Sequence, residues 1–153
     1  MRTQGYIYTP SHDYLKYLRV IKYWVKRKYG INNSDLDMLL FLYSEKYFTK
    51  KKIEEFEEVM KWDKRRFNRM VDGGWISVFR KTDDRIANRY EISYAGRRMV
   101  KTMYKKLNRE EEIAESRSQN PLFRTDASYM DKVYRRQIIE MNKSTRLLQH
   151  PAH

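Results

Sequence analysis

Two adjacent glycines, Gly73 and Gly74, separate a helical pattern from a strand pattern in the middle of the chain. In the preceding stretch "WDKRRFNRMVD", apolar residues recur at helical spacing among basic ones. In the following stretch "WISVFRKTDDRIANRYEIS", two β-prone runs flank a polar turn. A glycine accepts the left-handed backbone that ends many helices. The sequence therefore predicts a helix over about 62–72 and, directly after it, a β-hairpin over about 77–92.

Three further helical patterns precede the glycine pair. The first runs from a predicted cap at Ser11 to about residue 29, with Gly30 as its stop, and the second has Ser34 as its predicted cap. The third is short and begins at Thr49. The residues predicted to face inward are Tyr14, Leu15, Leu18, Ile21, Trp24 and Val25, then Leu36, Leu39, Leu40 and Tyr43, then Ile53, Phe56, Val59 and Met60, and finally Phe67, Met70 and Val71 in the basic helix.

Two more helices are predicted after the hairpin. Ser93 caps the first of them, and Ser128 caps a last amphipathic helix of roughly 129–142. An amphipathic helix has to bury its apolar stripe, and three partners are open for it: its own domain, a second copy of the chain, or another protein. We predict a leader over 1–10, one domain over 11–108, a linker or helix extension over 109–127, and a terminal helix with its tail over 128–153.

The charge balance favours a polyanionic partner. The 153 residues include 33 Lys and Arg against 20 Asp and Glu, which gives a formal net charge of +13. Such a field attracts nucleic acid first, and an anionic membrane or an acidic protein second. The longest apolar run, "MLLFLY", is too short to cross a bilayer, and no apolar signal core is present near the start. We therefore expect an intracellular, cytoplasmic protein associated with the nucleoid and not with a membrane.

Enzyme chemistry finds no support in the sequence. The chain has no cysteine, which excludes thiol catalysis, disulfides and cysteine-ligated zinc. Its three histidines lack metal-ligand spacing, and no phosphate-binding glycine loop is present. The dense acidic sites, Asp83-Asp84 and Glu110–Glu112, are explained by a turn and a linker. We expect a protein that is not an enzyme and that needs no cofactor or metal.

Taken in order, the predicted elements resemble a winged helix-turn-helix. The finer motifs, over about residues 34–107, resemble MarR-type regulators: "VDGGWI" is similar to the exit of that family's recognition helix, "DDR" to its wing turn, and "YEISYAG" to the entry of its next helix. The resemblance implies a mainly α fold with a minor β part. That fold is a winged helix-turn-helix with a two-stranded hairpin wing and extra N- and C-terminal helices.

The same resemblance implies a DNA-binding transcriptional regulator. Its recognition helix enters the major groove, and Arg85 of the wing matches the family's minor-groove arginine, with Asp83 or Asp84 holding the turn. It also implies a homodimer through the terminal helices. The basic helix departs from the family's Ser/Thr-rich one, and the C-terminal forty-odd residues do not match. A small-molecule effector therefore does not follow, and residues 121–153 are open to a protein partner.

The chemistry of the basic helix suits duplex DNA. The major groove admits an α-helix, arginine pairs with guanine and asparagine with adenine, and lysine suits phosphates. The basic start of the third helix opposes the helix dipole, which an anion there or plain solvation would explain equally. The predicted DNA contacts are Lys61, Lys64, Arg65, Asn68 and Arg69 on the basic helix, Arg80, Lys81, Arg85 and Arg89 on the wing, and Lys50, Lys51 and Lys52 on the third helix.

Two other functions stay open at this point. A basic winged helix also serves as an architectural or adaptor module in a nucleoprotein or viral assembly, and the unmatched tail favours this modestly. Single-stranded nucleic-acid binding is suggested by the 13 tyrosines, but most of them lie in predicted apolar stripes. A solvated basic surface is the simplest alternative for any single lysine or arginine.

Overall fold

The fold is mainly α with a minor antiparallel sheet, as predicted. The computed structural model describes residues 8–80 and 88–150. Within them the helices are α1 (Tyr14–Tyr29), α2 (Asn33–Leu42), α3 (Lys50–Met60), α4 (Lys64–Asp72), α5 (Tyr94–Leu107) and α6 (Tyr129–Gln149), the strands are β1 (Phe48–Thr49), β2 (Ile76–Arg80) and β3 (Arg89–Ile92), and a short 3-10 helix spans Pro121–Phe123.

The sheet contains the predicted hairpin and one strand that the sequence did not reveal. Strands β2 and β3 pair antiparallel, and β1 adds to the other side of β3, so the order is β1-β3-β2. In β1, Phe48 pairs with Tyr90 and Thr49 with Arg89. Two residues are too few to show an alternating pattern, which is why β1 escapes sequence analysis.

Five helix starts test the predicted caps. Thr49, predicted as the start of the third helix, and the predicted caps Ser93 and Ser128 are confirmed, since each side chain accepts a bond from a backbone N–H in the first turn. The predictions of Ser11 and Ser34 are wrong. Asp13 caps α1 by accepting from the Lys16 amide, and Asn32 caps α2 by accepting from the Asp35 amide. Asp and Asn are caps as good as Ser, so the local sequence leaves several candidates.

The glycine pair ends α4 with a regular turn. The Trp75 amide donates to the Met70 carbonyl at 3.0 Å, and the Gly74 amide donates to the Val71 carbonyl at 3.1 Å. Together these bonds form a Schellman motif, in which the residue after the cap is left-handed. Gly74 has φ 81°, so it meets this demand without a Cβ penalty. The predicted stop is confirmed, and it directs the chain straight into β2.

The helices share one core, formed mainly by α1, α2, α4 and α5. Trp24, Leu36, Met70 and Met99 are among its fully buried side chains. Some predicted inward-facing residues lie outside it: Leu15 is 85% exposed, and other exposed members are Tyr14, Val59 and Met60. All four lie in the first or last turns of their helices. A helical period predicts a stripe but not how far the neighbouring elements cover it.

Residues 109–127 contribute to this core. Ile113 and Leu122 are buried, and Asn142 of α6 bonds both to the Ile113 amide at 2.9 Å and to the Ile113 carbonyl at 2.8 Å. The Asn120 side chain donates to the Ala114 carbonyl at 2.8 Å. These amide side chains satisfy backbone groups that would otherwise be buried without partners. The segment is therefore held between α6 and the rest of the domain.

The apolar stripe of α6 is buried on its own chain, against α1. Asp131 is fully buried and accepts bonds from the Tyr23 hydroxyl at 2.6 Å and from Arg27 at 3.1 and 3.0 Å. The rings of Tyr23 and Tyr134 stack at 3.9 Å. Burial by itself raises the pKa of Asp131, but the bonds from Arg27 and Tyr23 outweigh it and hold that pKa below its ordinary value. The carboxylate therefore stays ionised and joins the two helices.

We predict that Asp131→Asn lowers the free energy of unfolding by about 2 kcal/mol at neutral pH. Removing one partner of a buried ion pair costs about 3–5 kcal/mol, and solvent around the half-exposed Arg27 reduces that cost. Urea unfolding followed by circular dichroism measures the difference. Because the pKa of Asp131 lies lower in the folded state, the wild-type advantage is complete above the ordinary pKa of 3.8 and decreases as pH falls below it.

Tyr23→Phe is the milder comparison, because it removes one neutral donor and leaves the ion pair. The assigned role of Asp131 would be contradicted if Asp131→Asn lowered the free energy of unfolding no more than Tyr23→Phe does. It would also be contradicted if the difference in stability between wild type and Asp131→Asn persisted at pH values well below 3.8.

Candidate nucleic-acid interface

The predicted interface begins at the connection between α3 and α4. Three residues separate the helices: Lys61, Trp62 and Asp63. Lys61 takes the left-handed conformation, with φ 56° and ψ 38°, and its amide donates to the Glu57 carbonyl. Trp62 is buried and packs edge-on against Phe41 with ring centroids 5.4 Å apart. Trp62 is therefore a core anchor that fixes the turn, and it is not available to stack on a base.

Helix α4 has one buried side and one exposed side. Phe67 and Met70 are buried, and the Phe67 ring meets Tyr90 of β3 edge-on at 4.9 Å. The Asp63 side chain caps the helix by accepting from the Arg65 amide at 3.0 Å. This packing leaves the other side of the helix to solvent. The predicted contact residues exposed there are Lys64, Arg65, Asn68 and Arg69.

Arg69 is already engaged within the protein. Its Nε and Nη2 donate to the two carboxylate oxygens of Asp35 at 3.4 and 3.1 Å. The hydrogen bond with Asp35, together with the charge of that carboxylate, raises the pKa of Arg69. A guanidinium carries five N–H donors, so three remain, and half of the Arg69 side chain is exposed. Asp35 thus positions Arg69 without using up its donors.

Asp35 is shared with two further side chains. Arg66 Nε lies 3.6 Å from a carboxylate oxygen of Asp35, and that buried Nε has no hydrogen-bond partner. Asn32 accepts from the Asp35 amide at 2.8 Å and donates to the Asp35 carboxylate at 3.2 Å. One acid therefore joins the start of α2 to two arginines of α4. Sequence patterns alone do not reveal this role of Asp35, because both arginine partners lie more than thirty residues away.

The three lysines at the start of α3 are exposed, and acidic residues follow them. Lys50, Lys51 and Lys52 come directly after the Thr49 cap. A groove of about 600 Å³ lies between α3 and α4, and its lining includes Lys50, Glu54, Glu57, Glu58, Lys64 and Asn68. The glutamates therefore lie beside three of the predicted DNA contacts, Lys50, Lys64 and Asn68.

Glu57 has the most distinctive environment of the groove. It is half-buried, and desolvation raises its pKa, with the nearby Glu54 carboxylate adding to the effect. The positive charges of Lys64 and Lys50 oppose this shift and do not overcome it. The position therefore disfavours the carboxylate form, next to the residues that are predicted to approach phosphates.

The hairpin brings two more predicted residues together. Arg80 and Arg89 are exposed and face each other in the register of β2 and β3. The pairing is irregular between Val78 and Arg80, where a β-bulge lies. Lys81 and Arg85, and the predicted turn at Asp83-Asp84, fall outside the described residues, so their predicted contacts stay predictions.

Comparisons with protein-family models, with curated proteins and with solved structures find no match to this chain. Across residues 8–80 and 88–150, no helix is long and apolar enough to cross a membrane. Within the same residues, no three His, Asp or Glu side chains lie close enough together to hold a metal ion.

We predict that Asp35→Asn loosens α4 and lowers the thermal midpoint. Loss of the carboxylate charge leaves the half-buried Arg66 without a counter-ion, and an unpaired buried polar group costs about 1–3 kcal/mol. Relative to wild type, the variant should show a larger increase in amide hydrogen-exchange rate over residues 64–72 than over α1. Asp37→Asn is the matched control, because Asp37 forms a part-exposed pair with Lys22 at 2.7 Å and does not touch α4. Equal effects of the two substitutions would contradict a specific role for Asp35.

Proposed function

We propose that this chain is a winged-helix DNA-binding protein that regulates transcription, with α4 as its recognition helix. The observation that carries the proposal is the exposed side of α4, where cationic and amide side chains stand together on a helix whose other side is fixed in the core. The three-residue turn between α3 and α4 fits a helix-turn-helix. The hairpin that follows α4 fits a wing.

The dimensions of α4 suit the major groove. An α-helix with its side chains is about 10–12 Å across, which fits the major-groove width of about 12 Å, and nine residues give α4 a length of about 14 Å along the groove. Within residues 8–80 and 88–150, the exposed side chains of Arg65 and Asn68 form no hydrogen bond or ion pair with another protein group, so their donors and acceptors are available to base edges. Asp35 sets the orientation of the Arg69 side chain, which would enter the groove with three N–H donors still free.

Phosphate contacts are assigned to the lysines around α4. Lys64 lies in its first turn, Lys61 in the preceding turn, and Lys50–Lys52 in the first turn of α3. Ammonium groups act as compact point charges on phosphates and carry no base preference. Arg80 and Arg89 of the hairpin contact the phosphates of the adjacent stretch of the DNA backbone. The net charge of +13 supports such binding.

A homodimer belongs to the same proposal. The main apolar stripe of α6 is already buried against α1, so a dimer needs other apolar surface. Leu15 of α1 and Leu147 and Leu148 of α6 are exposed and provide it on the terminal helices. A twofold dimer would bind a pseudo-palindromic site with half-sites about one helical turn apart.

We predict that the protein binds duplex DNA with a slope of log K against log salt near −5, as expected when about six phosphates are neutralised. Fluorescence anisotropy with labelled duplexes measures this slope. Lys50→Ala should weaken binding to all DNA sequences equally. Asn68→Ala should reduce the preference for one base pair by about 1–3 kcal/mol. Absence of duplex binding at low salt would overturn the proposed function.

We predict that Glu57→Gln strengthens duplex binding about threefold at neutral pH, because a carboxylate beside Lys64 repels phosphates through water. Since the pKa of Glu57 is raised above 4.5, wild type and variant should converge as pH falls toward that raised value. Glu55→Gln is the matched control, because Glu55 is exposed on α3 outside the groove. An equal gain from both substitutions would show only a net-charge effect.

A further inference from the structure

An aromatic pair lies exposed at the sheet, away from the core. The rings of Tyr47 and Phe79 stack with centroids 4.0 Å apart and an interplanar angle of 24°. Tyr47 is 38% exposed and Phe79 is 45% exposed. Large exposed aromatic surfaces are unfavourable in water and often mark a binding site. Tyr47 directly precedes β1 and Phe79 belongs to β2, so the pair bridges the middle strand β3.

The β-bulge explains how Phe79 reaches this position. Val78 pairs with Tyr90, and Arg80 pairs with Arg89, so Phe79 is the extra residue of β2. A bulge re-aims side chains and is frequent beside functional sites. Stacking on Tyr47 occupies one face of the Phe79 ring. Within residues 8–80 and 88–150, no other ring and no cation packs on Phe79, and 45% of the residue is exposed, so ring surface remains open to a ligand.

Cations surround the pair. Lys46 Nζ lies 5.8 Å from the centroid of the Tyr47 ring, and Arg80 and Arg89 are exposed beside Phe79. The acid closest in the register, Glu91, is directed to Arg97 at 3.5 Å and is mostly buried. An open aromatic face among positive charges matches a ligand that has flat rings joined by phosphates. That is the chemistry of a nucleic-acid strand with unpaired bases.

We infer that the open face of Phe79 stacks on an unpaired base, with Tyr47 backing the ring and with Lys46, Arg80 and Arg89 on the adjacent phosphates. This inference rests on the proposed function, which it deepens: the hairpin then prefers DNA that carries an opened or single-stranded stretch next to duplex. Stacking of this kind tolerates any base, because every base has a π-face. It adds affinity without sequence preference, whereas α4 reads the sequence.

The test compares two DNAs that share the same labelled strand. A full complement pairs every base in the first DNA, and a mismatched complement leaves a short internal run of thymines unpaired in the second. Wild-type protein should bind the second about 5- to 100-fold more tightly, as one stacked base contributes in other proteins. Phe79→Ala and Tyr47→Ala should remove this preference and leave affinity for the paired duplex unchanged. Tyr129→Ala should keep it, because Tyr129 is an even more exposed tyrosine, at the start of α6 and outside the aromatic pair.

Phe79→Trp gives a direct readout of stacking. The variant should retain the preference, and its added indole fluorescence should be quenched by the DNA with unpaired thymines and not by the paired duplex. Thermal midpoints close to wild type would show that the alanine variants fold.

The outcomes separate the inference from the proposed function. Equal affinity of wild-type protein for the two DNAs overturns the stacking site and leaves duplex binding standing. No binding to either DNA overturns both. A change of oligomeric state in Phe79→Ala, with the base preference intact, assigns the pair to a protein contact and also overturns the inference.

Discussion

The placement of α4 depends on one carboxylate, that of Asp35. It accepts two bonds from Arg69 and one from the Asn32 side chain, and it lies 3.6 Å from Arg66. The Asp35 amide also donates to Asn32, which caps α2. Apolar packing of Phe67 and Met70 fixes which side of α4 is inward, but it is non-directional. The bidentate bond to Arg69 adds direction, because a guanidinium and a carboxylate meet in a defined plane. The exposed side of α4 is thereby held in one orientation before any ligand arrives.

Two other sets of polar contacts attach the C-terminal residues to the same domain. Asp131 ties α6 to Tyr23 and Arg27 of α1, and Asn142 ties α6 to both backbone groups of Ile113. Arg146 adds bonds to Glu112 and Glu115 at 2.8 and 3.0 Å. Of the acidic residues after α5, Glu112 and Glu115 therefore pair with α6, and Glu111 pairs with Lys106 of α5. Near α4, Asp35 pairs with Arg69 and lies close to Arg66, and Glu57 lies in the groove beside Lys64, while Arg65 forms no ion pair within residues 8–80 and 88–150.

Sequence patterns predicted what is local. The helical period, the caps at Thr49 and Ser128, and the glycine stop at Gly74 are all written within a few residues, and the structure has them. Long-range contacts could not be predicted from local patterns. The residues around Asp35 do not indicate that it pairs with Arg69, and those around Asn142 do not indicate that it bonds to Ile113. The basic residues of α4 were predictable from their spacing, since exposure follows once Phe67 and Met70 are buried. The acidic groove beside them was not predictable, because its shape depends on the angle between α3 and α4.

The central claim is that the exposed side of α4 reads base edges in the major groove. Selection of bound duplexes from a random DNA pool tests it most directly, with wild-type protein and Asn68→Ala in parallel. The account predicts an enriched motif for wild type, with one adenine position that loses its preference in the variant. Duplexes recovered without any enriched motif, although binding is retained, would contradict sequence reading by α4 and would favour an architectural role for the protein.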